Sequence, residues 1–139
     1  MPVLESYLFF NGNCAEAMRF YERTLGGQLE ALMTYAESPE PDKCPPGAKD
    51  LVMHARLRVD GRALMASDSP PGYPPAQVGG FALSLGYDDP QDARRVFDAL
   101  SQGGTVTMPM TKTFWAESFG MLTDRFGTAW MVSGAAQAA

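Results

Sequence analysis

An internal repeat is the feature that most constrains how this chain can fold. Residues 61–67, GRALMAS, align without a gap on residues 127–133, GTAWMVS, so that Ala63, Met65 and Ser67 each meet an identical residue. A unit that occurs twice in a sequence is expected to build the same supersecondary module twice. The alternative is that two unrelated hairpins match by chance over a short stretch.

Each copy of the repeat is preceded by a stretch with the periodicity of an amphipathic helix. From Cys14 onward apolar residues recur at i, i+3 and i+4, and the pair Gly26-Gly27 follows as a stop signal. This pattern predicts a helix over Cys14–Leu25. A second helix is predicted over residues 90–102, because proline is favoured in a first helical turn and Gly103-Gly104 follows.

Runs rich in apolar and β-branched residues predict the strands around the first helix. The turn Asp60-Gly61 favours a hairpin between the last two strands. The proline-rich residues 38–49 are expected to form an exposed loop outside the core, and the proline- and glycine-rich residues 69–80 a linker. The predicted strands of this half are residues 3–10, 28–36, 51–59 and 62–67.

A βαβββ order in the first half, repeated in the second, predicts one domain built from two modules. Its length of 139 residues and its hydrophobic fraction of 45% suit a single core-forming domain. The predicted segments are module one over residues 1–68, the linker over 69–80, module two over 81–134 and a short tail over 135–139.

Charge and composition exclude several classes of function. A net charge of −5 provides no basic surface for nucleic acid or anionic lipid, and no stretch approaches the roughly 18 apolar residues of a spanning helix. Cys14 and Cys44 have no CxxC spacing, so we expect ordinary reduced thiols in a soluble, cytoplasmic protein. His54 is the only histidine, which excludes zinc hydrolases that need two.

The two modules, with residues 9–17 (FFNGNCAEA) and 20–21 (FY) opening the first, resemble the vicinal-oxygen-chelate superfamily of glyoxalase, bleomycin-resistance and dioxygenase proteins. This resemblance covers nearly the whole chain and implies an α+β fold. Two curved mixed sheets would surround a cavity, with the helices on their convex faces. A PhnB-like branch of the superfamily is indicated by residues 53–55, 64–68, 104–110, 113–115, 124–127 and 130–132.

Within that implied fold, strand alternation assigns side chains to faces. The odd-numbered positions of the third strand are all apolar and are predicted to pack against the helix: Leu51, Met53, Ala55, Leu57 and Val59. The opposite face then holds Val52, His54, Arg56 and Arg58, of which His54 and Arg56 point to the cavity and Arg58 is solvated. Other cavity-side positions are Glu5, Tyr7 and Phe9 in the first strand and Ala82, Ser84 and Gly86 in the fifth.

The resemblance also implies where a metal would be held. Metal-dependent relatives use one side chain in the first and one in the last strand of each module, which correspond here to Glu5, Met65, Ala82 and Met131. Only Glu5 offers an oxygen, and a thioether is a poor ligand for zinc, magnesium, manganese or ferrous iron. We therefore predict no bound metal and no other cofactor.

The candidate ligand-binding residues combine aromatic, polar and thioether side chains. Other readings remain open: His54 as a structural hydrogen-bonding residue, the aromatic residues as core or dimer interface, and Ser67 with Asp68 as turn chemistry. The candidates are Tyr7, Phe9, His54, Arg56, Met65, Ser67, Trp115, Phe119 and Met131.

The leading functional hypothesis is a protein that binds a small, partly apolar molecule in the sheet concavity without a tightly bound metal. Whether it catalyses a reaction stays open, and no catalytic residue is assigned. One alternative is a metal-dependent glyoxalase- or dioxygenase-type enzyme, and another is a resistance-type protein that sequesters a drug. A homodimer is expected, because relatives pair and because residues 112–119 place three large aromatic side chains beside few charges.

Overall fold

A computed structural model of the chain describes residues 2–72 and 79–136, and in it the two halves fold into modules of the same topology. The first contains β1 (Ser6–Phe10), α1 (Cys14–Leu25), β2 (Gln28–Thr34), β3 (Val52–Val59) and β4 (Arg62–Asp68). The second contains β5 (Leu83–Tyr87), α2 (Pro90–Ser101), β6 (Thr105–Thr111), β7 (Ala116–Thr123) and β8 (Ala129–Ala136). The predicted α+β fold with two βαβββ modules is confirmed.

The chain divides into two compact units, Met1–Ala76 and Gln77–Ala139. Each unit contains one module. Of the predicted linker over residues 69–80, residues 73–78 lie outside the described part of the chain, as do residues 137–139 of the predicted tail.

Each module forms one four-stranded mixed sheet, in the order β1-β4-β3-β2 and β5-β8-β7-β6. The first strand of each module runs parallel to the last, and the other pairs are antiparallel. Tyr7 lies opposite Met65 in the first sheet, and Ser84 lies opposite Met131 in the second. The sequence alignment of the repeat therefore gives the correct structural correspondence between Met65 and Met131.

Both helices follow from local sequence signals. α1 has the predicted bounds and ends at Gly26, whose positive φ of 72° suits glycine and whose N–H donates to the carbonyl of Glu22. The side chain of Asp89 caps α2 by accepting from the N–H of Gln91 at 2.8 Å. Across residues 2–72 and 79–136, no helix has the length and apolar character needed to cross a membrane.

The predicted alternation is wrong at the start of β3. Val52 is buried and Met53 is half-buried, the reverse of the expectation. The pairing with β2 passes from Met33 opposite His54 to Thr34 opposite Val52, so Met53 is an extra residue in a β-bulge. From His54 onward the alternation is as predicted, with fully buried Ala55 and Leu57 facing α1.

The loop over residues 38–49 is not wholly outside the core, contrary to the expectation. It contains a short 3-10 turn, Pro41–Lys43, and then folds back so that Ala48 is fully buried. The N–H of Ala48 donates to the carbonyl of Pro45, and the carbonyl of Ala48 accepts from Leu51. This returning turn brings the chain into β3.

The strand ends also differ from the prediction. β1 begins at Ser6, three residues late, and Leu4 before it is 98% exposed. β2 ends at Thr34, although the N–H of Ala36 still donates to the carbonyl of Lys49. β4 extends one residue further than predicted, through Asp68.

Asp68 is a structural residue that ties three segments of the first module together. Its side chain is buried, and its carboxylate accepts N–H groups from Gly12 at 2.9 Å, Cys14 at 3.0 Å and Val52 at 2.9 Å. It thus joins the β1–α1 turn, the first turn of α1 and the start of β3 to the end of β4. Burial, together with the negative charge of Asp68, raises the pKa of the Cys14 thiol to about 12, so this thiol stays protonated.

Asp68→Asn is expected to lower the free energy of unfolding by about 2–4 kcal/mol, because one amide oxygen replaces two carboxylate oxygens and the new NH₂ group faces backbone donors. Urea denaturation measures the change. Asp98→Asn removes a carboxylate from an exposed pair with Arg94 and serves as the matched control, expected to lie within about 0.5 kcal/mol of the parent. Equal effects of the two variants would contradict the structural role of Asp68.

Candidate functional site

The face of the first sheet opposite α1 brings together most of the candidate residues of the first module. We call this surface the open face and define it by Tyr7 and Phe9 on β1, Met65 on β4, and His54 and Arg56 on β3. Met65 pairs with Tyr7 on one side and with Arg56 on the other. Tyr7 is 38% and Phe9 56% exposed, whereas Leu8 and Phe10, on the other face of β1, are buried.

Tyr7 and His54 form a polar pair on the open face. The phenol oxygen of Tyr7 lies 3.2 Å from Nδ1 of His54. In a neutral imidazole either Nδ1 accepts from the phenol and Nε2 carries a proton, or Nδ1 donates and Nε2 is the acceptor. In both states Nε2 remains as a second polar position on the imidazole. The aromatic ring of Phe9 lies beside that of Tyr7, with centroids 5.1 Å apart.

Arg56 is held by two carboxylates and a thioether. Its Nη2 lies 3.4 Å from Oε2 of Glu5, its Nε lies 3.3 Å from Oε1 of Glu30, and its Nη1 lies 3.4 Å from the sulfur of Met65. About one third of the Arg56 side chain remains exposed. The guanidinium group is therefore fixed in position while part of it still faces solvent.

Glu30 and Arg58 also belong to this cluster. Arg58 is exposed, as predicted, while it pairs with Glu30, a residue that the sequence did not single out. Nε of Arg58 donates to Oε2 of Glu30 at 2.9 Å. This hydrogen bond, with the charges of both arginines, lowers the pKa of Glu30 below its ordinary value. Glu30 is the extra residue of a β-bulge between Leu29 and Ala31. Glu30 could have been found from charge complementarity, because it is the one acidic residue of β2 and the neighbouring strand β3 carries two arginines.

Ser67 and Asp68 at the end of β4 have different positions. Ser67 lies opposite Phe9 in the sheet and is only 7% exposed, so it offers little surface to a ligand. Asp68 faces the other side, and its carboxylate already accepts three backbone hydrogen bonds. The role of Asp68 is therefore structural, but it is not the local turn chemistry that the sequence offered, because its partners Gly12, Cys14 and Val52 are distant in the chain.

The remaining candidates, Trp115, Phe119 and Met131, belong to the second unit. A Cβ on Gly120 would come within 2.7 Å of Phe97, so Gly120 faces α2 and its neighbour Phe119 points to the opposite face. Trp115 lies in the bend before β7, not in a strand. Its ring meets that of Phe119 edge-on at 5.3 Å and that of Phe114 at 4.7 Å.

Met131 lies on the face of the second sheet that points away from α2. It pairs with Ser84 on β5 and with Met121 on β7. The positions that correspond to Tyr7 and Phe9 are here Ser84 and Gly86. The aromatic row on the first strand is therefore a property of the first module and is not repeated in the second.

Two surface depressions lie in the first unit. One of about 440 Å³ is lined by residues before β1 and in the β3–β4 turn, and it includes Glu5. The other, of about 390 Å³, contains Met53, which the bulge turns outward, together with Tyr35 and Cys44. Neither includes Tyr7 or His54. Both are open to solvent.

The chain matches a family model and several known proteins over nearly its whole length. The model described as the glyoxalase/bleomycin resistance protein/dioxygenase superfamily matches residues 3–132. Protein YjdN of Escherichia coli strain K12 is 37% identical over 141 residues, which cover 96% of this chain and 95% of YjdN.

Two solved structures extend the similarity. Protein PA1353 from Pseudomonas aeruginosa has 51% sequence identity and a TM-score of 0.90, over 96% of this chain and 98% of that one. A Bacillus cereus PhnB protein, described as a putative 3-demethylubiquinone-9 3-methyltransferase, has 25% identity and a TM-score of 0.80, over 96% and 99% of the two chains.

The residues at the four expected metal positions do not fit a metal centre. Glu5 is paired with the guanidinium of Arg56, and Met65 contacts the same group through its sulfur. In the second unit, Met131 and the residue before β5, Ala82, supply no oxygen or nitrogen side-chain donor. Within residues 2–72 and 79–136, no group of three or more His, Cys, Asp or Glu side chains is placed to hold an ion.

Freshly purified protein is expected to contain far less than one divalent metal ion per chain, and Glu5→Ala is expected to leave that content unchanged. The stability cost of Glu5→Ala should stay within about 1 kcal/mol, because the lost ion pair with Arg56 is partly exposed. Elemental analysis and melting curves with and without a chelator test this. A melting temperature of the parent protein that falls with chelator would contradict it.

Proposed function

The chain belongs to the glyoxalase/bleomycin resistance protein/dioxygenase superfamily, and from this premise we propose that it binds a small, partly apolar molecule on the open face, without a tightly bound metal. The observation that carries the proposal is the exposed aromatic row of Tyr7 and Phe9 beside the polar groups of His54 and Arg56. Ligand sites typically combine apolar and aromatic area with a few placed polar groups.

The cost of exposing two aromatic rings supports a binding role. The two rings are neighbours on one strand, with centroids 5.1 Å apart, so they form a continuous apolar surface. Covering such a surface with a planar or apolar molecule lowers the free energy, because apolar area is removed from water. His54 and Arg56 lie on the same face and can orient a polar group of that molecule.

Two outcomes of binding are proposed as alternatives from different classes. In a metal-independent enzyme, the Tyr7–His54 pair would exchange a proton with the bound molecule, since its two groups can each donate or accept. In a sequestering protein, the same groups would only orient the ligand. Turnover of a ligand by the parent protein, lost in His54→Asn while binding is retained, favours the enzyme.

We do not extend the methyltransferase description of the Bacillus cereus protein to this chain. Sites for methyl donors and dinucleotides in doubly wound folds use a glycine-rich turn between a strand and a helix in a parallel sheet. Here the corresponding turns read Asn11-Gly12-Asn13 and Asp88-Asp89, and both sheets are mixed.

A cytoplasmic location is proposed as well, supported by two free thiols, Cys14 and Cys44.

A thermal-shift screen of aromatic compounds tests the binding proposal. At a ligand concentration 100-fold above Kd, binding adds about 2.7 kcal/mol of stability, which raises Tm by about 5–10 °C for a chain of this size. Tyr7→Ala and Phe9→Ala are expected to abolish the shift. Phe81→Ala removes a ring of comparable exposure, 52%, in the second unit and is the matched control. A shift that survives both open-face variants would place the ligand elsewhere.

We also propose that the protein forms a homodimer through the aromatic group of Phe114, Trp115 and Phe119. Phe114 is 88% exposed and Trp115 38% exposed, and their rings stack edge-on. Contiguous apolar area of this kind is typical of association surfaces, whose centres are enriched in aromatic residues. A second copy of the chain, carrying the same group, would cover it.

Trp115→Ala is expected to weaken this association at least tenfold, because truncation of a central aromatic residue typically costs 2 kcal/mol or more at about 1.4 kcal/mol per tenfold change in affinity. Light scattering over a concentration series measures the dimer fraction. Phe81→Ala again serves as the control. A parent protein that stays at 15.1 kDa at every concentration would refute the dimer.

A further inference from the structure

The charged groups around Arg56 compensate one another. Arg56 is shared by Glu5 and Glu30, and Arg58 is paired with Glu30, so two guanidinium groups face two carboxylates. An anionic ligand near Arg56 would meet no net positive charge, and it would lie close to both carboxylates. An anion also loses hydration when it binds, which costs free energy. No net positive charge on this face compensates that cost.

Arg56 nevertheless keeps a hydrogen-bonding position for a ligand. Of its three nitrogens, Nε and Nη2 face carboxylate oxygens, whereas Nη1 faces the sulfur of Met65 at 3.4 Å. A thioether is a weak acceptor, so a ligand oxygen at Nη1 makes a better hydrogen bond than the one it replaces. A carbonyl oxygen suits this position, since it accepts strongly without adding charge.

The aromatic row and Arg56 lie on the same face of the sheet, with one strand between them. Met65 separates Tyr7 from Arg56 in the sheet, and two strand spacings amount to about 10 Å. A planar ring system that carries a carbonyl group can therefore cover Tyr7 or Phe9 while its oxygen reaches toward Arg56.

We propose that the open face selects uncharged planar molecules that carry a carbonyl-type oxygen, bound by Nη1 of Arg56, and that the Glu5–Arg56–Glu30 cluster rejects the carboxylate of the same shape. This inference rests on the proposed function and narrows it to a ligand class. Glu5 and Glu30 are then specificity-determining residues, because they remove the net charge that would otherwise attract an anion.

The test compares 2-naphthamide with 2-naphthoate, which share a ring system and differ in charge at pH 7. Binding to the isotopically labelled full chain is followed by backbone amide NMR shifts, which give both Kd and location. The parent protein should bind 2-naphthamide at least about threefold more tightly, with shifts at Tyr7, Phe9 and Arg56. Glu5→Gln removes one negative charge and should raise the affinity for 2-naphthoate about three- to tenfold. Its affinity for 2-naphthamide should stay within about twofold of the parent value.

Two further variants complete the design. Arg56→Lys keeps the positive charge but removes Nη1, and it should weaken the binding of 2-naphthamide. Glu40→Gln makes the same chemical change in an exposed pair with Lys43 in the first unit, and it should alter neither affinity. A preference for 2-naphthamide that Glu5→Gln removes and Glu40→Gln retains supports the inference.

The two levels of the proposal fail in different ways. If 2-naphthoate binds the parent protein more tightly, or if Glu5→Gln leaves the preference unchanged, the charge inference is overturned. When Tyr7→Ala still abolishes binding in that case, the proposed site stands. If neither compound shifts the amides of Tyr7, Phe9 or His54, the result counts against the open face as a site, and the inference falls with it.

Discussion

A single buried carboxylate holds the first module in register. Asp68 sits at the end of β4 and accepts the N–H groups of Gly12, Cys14 and Val52, which belong to three different segments. Backbone donors at a helix start have no partner within the helix, and a buried one costs free energy if it is unpaired. By satisfying these donors, Asp68 fixes where α1 begins and where β3 enters the sheet, and β3 carries His54 and Arg56.

The second module holds the start of its helix against its last strand without a carboxylate at the position of Asp68. The position that corresponds to Asp68 is Gly134, where a Cβ would come within 2.7 Å of Pro90 at the start of α2. Close approach of the helix replaces the carboxylate clamp, and Asp89 caps the helix instead. The two modules therefore share topology and register but differ in local chemistry. Their open surfaces differ too, since Tyr7 and Phe9 correspond to Ser84 and Gly86.

Arg56 gives the open face a fixed cation in a fold whose metal-dependent members use an ion. Glu5, the only oxygen donor at the expected metal positions, is held by this guanidinium, and Met65 contacts it as well. A guanidinium donates hydrogen bonds in fixed directions and cannot accept a lone pair as a metal does. The proposed function accordingly relies on hydrogen bonding by Arg56 and on the Tyr7–His54 pair.

Local signals in the sequence determined the two βαβββ modules, the bounds of α1, the start of α2 and the faces of Tyr7, His54 and Arg56. Helix periodicity, glycine stops and strand alternation depend only on near neighbours. Tertiary structure alone decided the bulges at Glu30 and Met53, the burial of Ala48, the long-range hydrogen bonds of Asp68 and the pairing of Arg58 with Glu30. Each of these depends on the pairing of segments far apart in the chain, and one extra residue in a strand changes which side chains meet without leaving a local signal.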